Sequence, residues 1–138
     1  MRAFAKLAAI ALLGLVGACG GDGGGINDPL QDAAGTYTLK TFNGAPPPIV
    51  IFETTGYKLE ITSANYVLTA SGTFTNSATF RETENGVATT STETLTGTYV
   101  LAGTSITFTE TDGEVLTGVL SGNNLQFSED GMTAVFSR

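Results

Sequence analysis

The chain contains no histidine and no tryptophan, and its 138 residues include a single cysteine, Cys19. The absence of histidine excludes Ser–His–Asp and Cys–His catalysis and His-ligated zinc, and it removes the most common general base. Basic residues are also few: six lysines and arginines stand against thirteen aspartates and glutamates, for a formal net charge of −7. Because an acidic chain is repelled by phosphate backbones, the composition argues against a nucleic-acid partner.

Other catalytic and metal-binding arrangements have little support in the sequence. Lys40 and Lys58 lie in alternating, strand-like segments, a pattern that predicts solvent-facing lysines rather than a Ser–Lys dyad. Carboxylate pairs such as Glu82 and Glu84 are the machinery of glycoside hydrolysis, but here they fall at predicted hairpin ends, where acids ordinarily form turns. No EF-hand spacing occurs. We therefore expect no catalytic residue, no metal site and no cofactor.

The first eighteen residues have the composition of a secretory signal peptide. Met1–Lys6 carries Arg2 and Lys6 and no acid, and the following apolar run, Leu7–Val16, is about ten residues long. That length suits the apolar region of a signal peptide and is well below the roughly 20 residues that a membrane-spanning helix needs. The pattern predicts removal of residues 1–18.

Leu15–Cys19 reads LVGAC and places the cysteine directly after two small residues. This segment resembles the lipobox of bacterial lipoproteins. The resemblance implies that Cys19 becomes the first mature residue, with diacylglycerol on its sulfur and an acyl chain such as palmitate on its amine. It also implies a lipid-anchored protein of the cell envelope. Gly20 stands where an Asp would resemble an inner-membrane retention signal, so the expected location is the outer membrane, facing the periplasm or the cell surface.

Two other interpretations of the N-terminal segment remain open. Val16 and Ala18 also satisfy the small-residue rule of ordinary secretion, which would leave a bare thiol on the mature N-terminus. An uncleaved anchor is the other alternative, and the short apolar run conflicts with it.

A glycine-rich segment separates the cysteine from the remainder of the chain. Residues 20–25 read GGDGGG, a composition typical of flexible coil, and we interpret residues 19–27 as the lipidated cysteine and its tether. Residues 28–138 then form the folded domain. Asp28, Pro29 and Gln31 match the N-cap, N1 and N3 positions of a helix, and Gly35 supplies a stop, so we predict a single helical turn over 29–34.

From Gly35 onward the pattern is that of antiparallel β-structure. Aromatic and aliphatic residues alternate with threonine, serine and asparagine, which predicts strands with one buried and one solvated face. Turn dipeptides separate these runs: Ser71-Gly72, Asn85-Gly86, Asp112-Gly113, Gly122-Asn123 and Asp130-Gly131. We predict an all-β, up-and-down meander of about eight to ten strands. Closure into a barrel would remove its two exposed edges, and a two-sheet β-sandwich is the alternative.

The start and end of the domain resemble those of the lipocalin and calycin group. Strand one opens with Gly35-Thr36-Tyr37, similar to the Gly-x-Trp opening of lipocalins with tyrosine in place of tryptophan, and the chain ends on a basic residue, Arg138. The resemblance implies a small lipocalin-like barrel in which Arg138 covers the ring of Tyr37 through a cation–π contact.

Two functions follow from this fold, and neither is catalytic. In the first, the barrel holds a small apolar ligand in its mouth, in a cavity bounded by Tyr37, Phe74, Phe80, Tyr99 and Phe108. In the second, side chains fill the barrel, and a surface patch binds an envelope protein. The apolar segment 46–52 or an exposed edge strand would then supply the contact. The lipid resemblance adds the membrane as a partner in both cases.

Overall fold

Nine β-strands and one short helix make up the part of the chain that the computed structural model describes, residues 28–138. The helix, α1, is Pro29–Ala33. The strands are β1 Gly35–Phe42, β2 Ile49–Thr54, β3 Tyr57–Leu68, β4 Thr73–Glu84, β5 Val87–Ala102, β6 Ser105–Glu110, β7 Val115–Ser121, β8 Asn124–Glu129 and β9 Met132–Ser137. Among these residues, no helix combines the length and the apolar character needed to cross a bilayer. The predicted signal peptide, residues 1–18, and the lipidated Cys19 with its tether, residues 19–27, lie outside the described residues.

The strands form one antiparallel sheet that closes on itself. From β3 to β9 each strand pairs with the next one along the chain, and β1 pairs with β9 on one side and with β3 on the other. Eight strands therefore form a barrel, and β2 is an additional strand beside the first half of β3. The prediction of a closed up-and-down barrel is confirmed, and the sandwich alternative is wrong. Eight strands in this order are also the architecture of lipocalins.

Short turns between consecutive strands explain this order. Asn85 and Asp130 both have φ of 49°, and the glycines that follow them have φ of 83° and 77°. Two consecutive residues with positive φ make the type I′ turn that suits the twist of a hairpin. The Asn-Gly and Asp-Gly pairs thus end their strands where the sequence predicts.

Helix α1 closes one end of the barrel. Asp28 caps the helix by accepting a hydrogen bond from the Leu30 amide at 3.0 Å, and the helix ends at Ala33 rather than at residue 34. The Tyr37 hydroxyl donates to the Ala33 carbonyl at 2.8 Å, and the Tyr99 hydroxyl donates to the Thr69 carbonyl at 2.6 Å. We call this the closed end, because polar atoms of the inward tyrosines are satisfied there by the helix and its neighbouring loop.

Arg138 completes the closed end. Its guanidinium carbon lies 5.3 Å from the centre of the Tyr37 ring, and its Nη1 donates to the Ala34 carbonyl at 2.7 Å. The Nε–H group donates to the side chain of Asn123 at 3.1 Å. The predicted cation–π contact is therefore confirmed, and the same side chain also ties the last residue of the chain to the loop after α1.

A cluster of aromatic rings occupies the centre of the barrel. Tyr66 lies 5.1 Å from Phe108 and 5.2 Å from both Phe127 and Phe136, measured between ring centroids. Phe74 meets Phe108 edge-on at 4.9 Å. Edge-on and tilted contacts at these distances are favourable for aromatic rings. All five rings are buried, so side chains pack against one another across the interior.

Three strands are longer than the barrel they help to form. β1 pairs only with 65–68 of β3, and β6 pairs only with 97–102 of β5. The remaining parts of β3, β4 and β5 project beyond the barrel together with β2. We call this four-stranded projection the sheet extension; it comprises 49–54, 57–61, 80–84 and 87–95. Because side chains alternate along each strand, the inner face of the barrel continues onto one face of the extension.

Gly97 marks the point where β5 passes from the extension into the barrel, and it has no room for a side chain. A Cβ atom at this position would lie 2.0 Å from the Thr109 carbonyl oxygen and 2.8 Å from the Phe74 ring. We expect Gly97→Ala to lower the free energy of unfolding by about 1–3 kcal/mol or more, because both neighbours would have to move. Urea unfolding followed by circular dichroism measures the change.

Thr98→Ala, at the next, exposed position of the same strand, is the matched control and should have a small effect. Equal stability of the two variants would contradict the tight approach of β5 and β6 at Gly97.

Candidate ligand site at the open end of the barrel

The five aromatic residues predicted to bound a cavity occupy two different places. Tyr37, Phe74, Tyr99 and Phe108 are at most 3% exposed and belong to the core. Phe108 contacts Phe74 and Tyr99, with ring centroids 4.9 Å and 6.1 Å apart, whereas Tyr37 lies under Arg138 at the closed end. Phe80 is separate and only partly buried, in the part of β4 that belongs to the sheet extension. The role of these five residues in ligand binding remains a prediction.

The end of the barrel opposite α1 opens onto an apolar surface. Phe80 shares the inner face of β4 with Phe74 and pairs with Ile61 of β3. On the same face, Leu59 pairs with Phe52 of β2. Leu95 of β5 lies on this face as well, since it pairs with Asn76, four residues before Phe80 in β4. We call this set the inner-face patch; its members are Phe52, Leu59, Ile61, Phe80 and Leu95.

Exposure varies across the inner-face patch. Phe52 and Leu95 are 53% and 45% exposed, unusual values for large apolar side chains, while Leu59 is only 7% exposed. The Phe52 ring packs at 6.0 Å from the ring of Tyr57, which comes from the neighbouring strand. Phe52 therefore packs beside a ring of the same face, and Phe52 and Leu95 leave part of the patch in contact with solvent. Uncovered apolar surface of this kind on a soluble domain often marks a binding site.

Carboxylates border the inner-face patch where the barrel begins. Glu110 ends β6 on the same face as Phe108, and its carboxylate lies within 4.8 Å of those of Asp112 and Glu114. Partial burial raises the pKa of Glu110, and the charges of Asp112 and Glu114 raise it further. The same carboxylate adds to the effect of burial in raising the pKa of Tyr66. Acidic groups at exposed turns are common without an ion, so this cluster by itself identifies no metal site.

A shallow hollow lies beside these acids. Its volume is about 190 Å³, and it is lined by Thr94, Leu95, Thr96, Glu110, Thr111 and Asp112. Leu95 belongs to both the hollow and the inner-face patch. The open end therefore presents an apolar surface with an acidic border, an arrangement suited to apolar ligands that are neutral or that carry a cationic group.

Three of the four basic residues of the domain are held by contacts away from the inner-face patch, and the fourth, Lys40, is exposed on β1. Lys58 and Arg81 are on the outer face of the sheet extension, where both pair with Glu60 at 3.1 Å and 2.7 Å. Glu60 is only 4% exposed, and hydrogen bonds from Arg81 and then from Lys58 lower its pKa. Arg138 is held at the closed end. Two of the cations thus neutralise a buried acid, which leaves them unsuited to an anionic ligand on the inner face.

Sequence reasoning missed three members of the inner-face patch as site residues, namely Leu59, Ile61 and Leu95, whereas Phe52 lies in the apolar segment 46–52 that it singled out. One signal was available. The turn glycines Gly86 and Gly103 are seventeen positions apart, whereas later turns follow at intervals of about ten, so β5 is expected to be longer than the strands after it. A strand longer than its neighbours must project from a closed barrel, and its inward pattern then lines an open end.

Comparison with known proteins gives one structural likeness. The chain is similar to a lipocalin-like protein from Bacteroides uniformis ATCC 8492, with 18% sequence identity, coverage of 78% of this chain and 98% of that protein, and a TM-score of 0.46. No protein-family model and no curated protein match the chain. The assignment of a closed antiparallel barrel stands on the strand pairing itself.

The Glu60 ion pairs predict a specific pH dependence. Because the pKa of Glu60 is lowered in the folded state, its stabilising contribution is present above the ordinary value of 4.5 and is lost as the pH falls through the lowered value. Wild-type protein should therefore exceed Glu60→Gln in free energy of unfolding at neutral pH, and the difference should shrink on acidification. Urea unfolding at a series of pH values measures both quantities.

Glu93→Gln is the control, since Glu93 is exposed and has no ion pair among the described residues. A wild-type advantage over Glu60→Gln that stays constant down to acid pH would show that the charge of Glu60 does not provide the stabilisation.

Proposed function

We propose that this chain is a non-catalytic binding lipoprotein that holds a small apolar ligand at the open end of its barrel. The observation that carries the proposal is the asymmetry of the two ends. At one end α1 and Arg138 cover the interior, and at the other the inner-face patch continues the apolar surface of the barrel, with Phe52 and Leu95 exposed to solvent. A ligand that lay on this face would remove exposed side chains such as Phe52 and Leu95 from water, at about 25 cal/mol for each Å² of apolar surface.

The packed interior favours a ligand at the open end over one deep inside the barrel. The rings of Phe74 and Phe108 are in contact with each other and with Tyr66, and they are almost wholly buried. These rings fill the interior of the barrel, and the partly exposed Phe80 lies at the open end. Of the five residues that the sequence singles out, Phe80 is thus the one that contacts the ligand in this proposal.

The charge of the open end selects the type of ligand. Four carboxylates lie on the inner face, those of Glu82, Glu84, Glu93 and Glu110. The cations Lys58, Arg81 and Arg138 are held by contacts away from it. A neutral or cationic apolar molecule is compatible with these carboxylates, whereas an anionic one is repelled. A catalytic role is not proposed, because the acids of the open end have no nucleophile and base arranged with them among the described residues.

Anchoring through lipid at Cys19 is part of the proposal. Three acyl chains on one residue hold a protein on a membrane stably, because each buried CH₂ contributes about 0.8 kcal/mol. The glycine-rich segment 20–25 allows a separation of about 12–15 Å between the lipid and the domain. We place the protein at the outer membrane, facing the periplasm or the cell surface.

A second candidate function is the binding of an envelope protein through β2. Val50, Ile51 and Phe52 are 49%, 40% and 53% exposed, and β2 is the last strand of the sheet, with no strand on its outer side among the described residues. Exposed apolar side chains on an unpaired strand suit a partner that adds a strand of its own. A failure of the ligand-binding test below, together with crosslinking from position 51 to an envelope protein in the host, would favour this function.

Replacement of Phe80 tests the ligand site. We expect the domain 28–138 to bind the neutral fluorescent probe N-phenyl-1-naphthylamine, and we expect Phe80→Ala to weaken binding about tenfold through lost apolar contact. Fluorescence titration measures the dissociation constant. Thr79→Ala, on the outer face of the same strand, is the control and should bind like wild type.

Two results would count against the proposal. Absence of probe binding by the wild-type domain would remove the apolar-ligand function. Binding that survives Phe80→Ala unchanged would show that the ligand lies away from the inner-face patch. Native mass spectrometry of protein purified from its own host would then identify any ligand that co-purifies.

Substitution of the cysteine tests the anchor. Wild-type protein expressed in its host should incorporate an alkyne-labelled palmitate and remain with the membrane fraction, and Cys19→Ala should do neither because the acceptor sulfur is gone. Gly20→Ala is the control and should still be labelled. Secretion of an unlabelled wild-type protein into the soluble fraction would support ordinary secretion instead.

A further inference from the structure

The outer edge of β5 is unpaired along most of the sheet extension. In the described part of the chain, all of β4 pairs with residues 87–98 of β5. On the other side of β5, β6 pairs only with residues 97–102. The Thr111 amide and hydroxyl donate to the Thr96 carbonyl at 3.0 Å and 2.8 Å, so the covered part ends there. Residues 87–95 therefore present a free row of backbone donors and acceptors to solvent.

This edge lacks most of the features by which proteins ordinarily prevent strand addition, and its one protecting feature is the charged side chain of Glu93 on the inner face. Natural edges are protected by proline, lysine, bulges or short length. Residues 87–95 read VATTSTETL, which contains no proline, lysine or glycine, and their pairing with β4 continues without a register shift. The other free edge, β2, has two of these protecting features: its pairing has a bulge between Val50 and Phe52, and the prolines Pro46–Pro48 precede it.

We propose that the free edge of β5 binds the same edge of a second copy of this chain, in an antiparallel pair centred on Ser91. Two copies related by a two-fold axis through Ser91 place Val87 opposite Leu95 of the second copy, and Leu95 opposite its Val87. Both residues lie on the inner face, and they are 69% and 45% exposed in the single chain. The proposed pairing would bring these apolar side chains into contact twice, once at each end of the shared strand pair.

The position of Glu93 favours this register over its neighbours. Directly opposite residues of an antiparallel pair point to the same face, so odd-numbered residues of 87–95 must oppose odd-numbered ones. Centred on Ser91, the pair sets Glu93 opposite Thr89 and avoids a direct contact between like charges. A centre at Thr90 would place Val87 opposite Glu93, and a centre at Thr92 would place Leu95 opposite Thr89. Ser91 is therefore the centre that places the apolar side chains of Val87 and Leu95 opposite each other and pairs the whole free edge, residues 87–95.

The second copy extends the sheet and contacts one member of the inner-face patch, Leu95, while Phe52, Leu59, Ile61 and Phe80 stay uncovered. Because the two-fold axis is perpendicular to the sheet, both inner faces lie on the same side and become one continuous surface. The dimer therefore shares only Leu95 with the ligand proposal and leaves the other four members of the patch available to a ligand. A strand pair of this length buries less area than a standard interface, so we expect a weak association that both chains' negative charge weakens further at low salt.

Complementary charges at position 91 test the dimer and its register together. The protein to be used is the mature chain, residues 19–138, with Cys19→Ser to prevent lipidation and disulfide formation. Sedimentation velocity from micromolar to millimolar concentration should show wild-type dimers that strengthen with added salt. Ser91→Lys and Ser91→Glu should each weaken self-association at least about tenfold, because each places like charges directly opposite each other. A mixture of the two variants should restore a dimer.

Thr117→Lys, at an exposed position of β7 away from the edge, is the control and should dimerise like wild type. Circular dichroism checks that every variant is folded. A wild-type chain that stays monomeric throughout overturns the proposal. Dimers that persist in both Ser91 variants would place the interface elsewhere, and a mixture that fails to associate would contradict the register centred on Ser91.

Discussion

Closure of the sheet by β1 is the constraint on which the rest of this structure depends. One strand pairs with β9 through 38–42 and with β3 through 35–38, and this double pairing turns a meander into a barrel. Because closure directs the inner faces of eight strands toward one another, aromatic side chains that are far apart in sequence meet in a single cluster. Because α1 directly precedes β1, the same closure places the helix over one end of the barrel. There the Tyr37 hydroxyl and Arg138 donate hydrogen bonds to the carbonyls of Ala33 and Ala34, at the end of the helix.

A mismatch in strand length creates the surfaces to which we assign function. β3, β4 and β5 contain 12, 12 and 16 residues, whereas β6, β8 and β9 contain six each. A barrel wall extends only as far as its shorter strands, so the surplus projects as a four-stranded sheet. Its inner face keeps apolar residues on β2 and β3 and at Phe80 and Leu95 but loses the opposite wall, and its last strand keeps a free edge. Ligand binding and association of two copies are thus proposed for two surfaces with one structural origin.

Local patterns predicted the elements of this fold better than they predicted the site. The Asn85-Gly86 and Asp130-Gly131 turns, the one-turn helix after Asp28 and the contact of Arg138 with Tyr37 all follow from residues whose chemistry restricts the nearby backbone or pairs with a nearby ring. Register shifts interrupt the alternation at Lys40, Ile51 and Thr62, where the paired strands differ by one residue. A bulge reverses which side chains face inward, and period-two reasoning cannot locate it without the partner strand.

The sequence by itself determined that the domain is all-β and that its strands follow one another through hairpins, because alternation and turn dipeptides act over a few residues. Its composition determined that the domain is acidic and that histidine-dependent chemistry is absent. Only the tertiary structure decided which end of the barrel is open, that Phe80 lies apart from the four other aromatic residues proposed for the site, and that Glu60 is buried between two bases on the outer face. These outcomes depend on which strands are neighbours and on how far each pairing extends. Both are properties of the closed sheet rather than of any single segment, because the part of a strand that belongs to the barrel wall depends on the lengths of its neighbours.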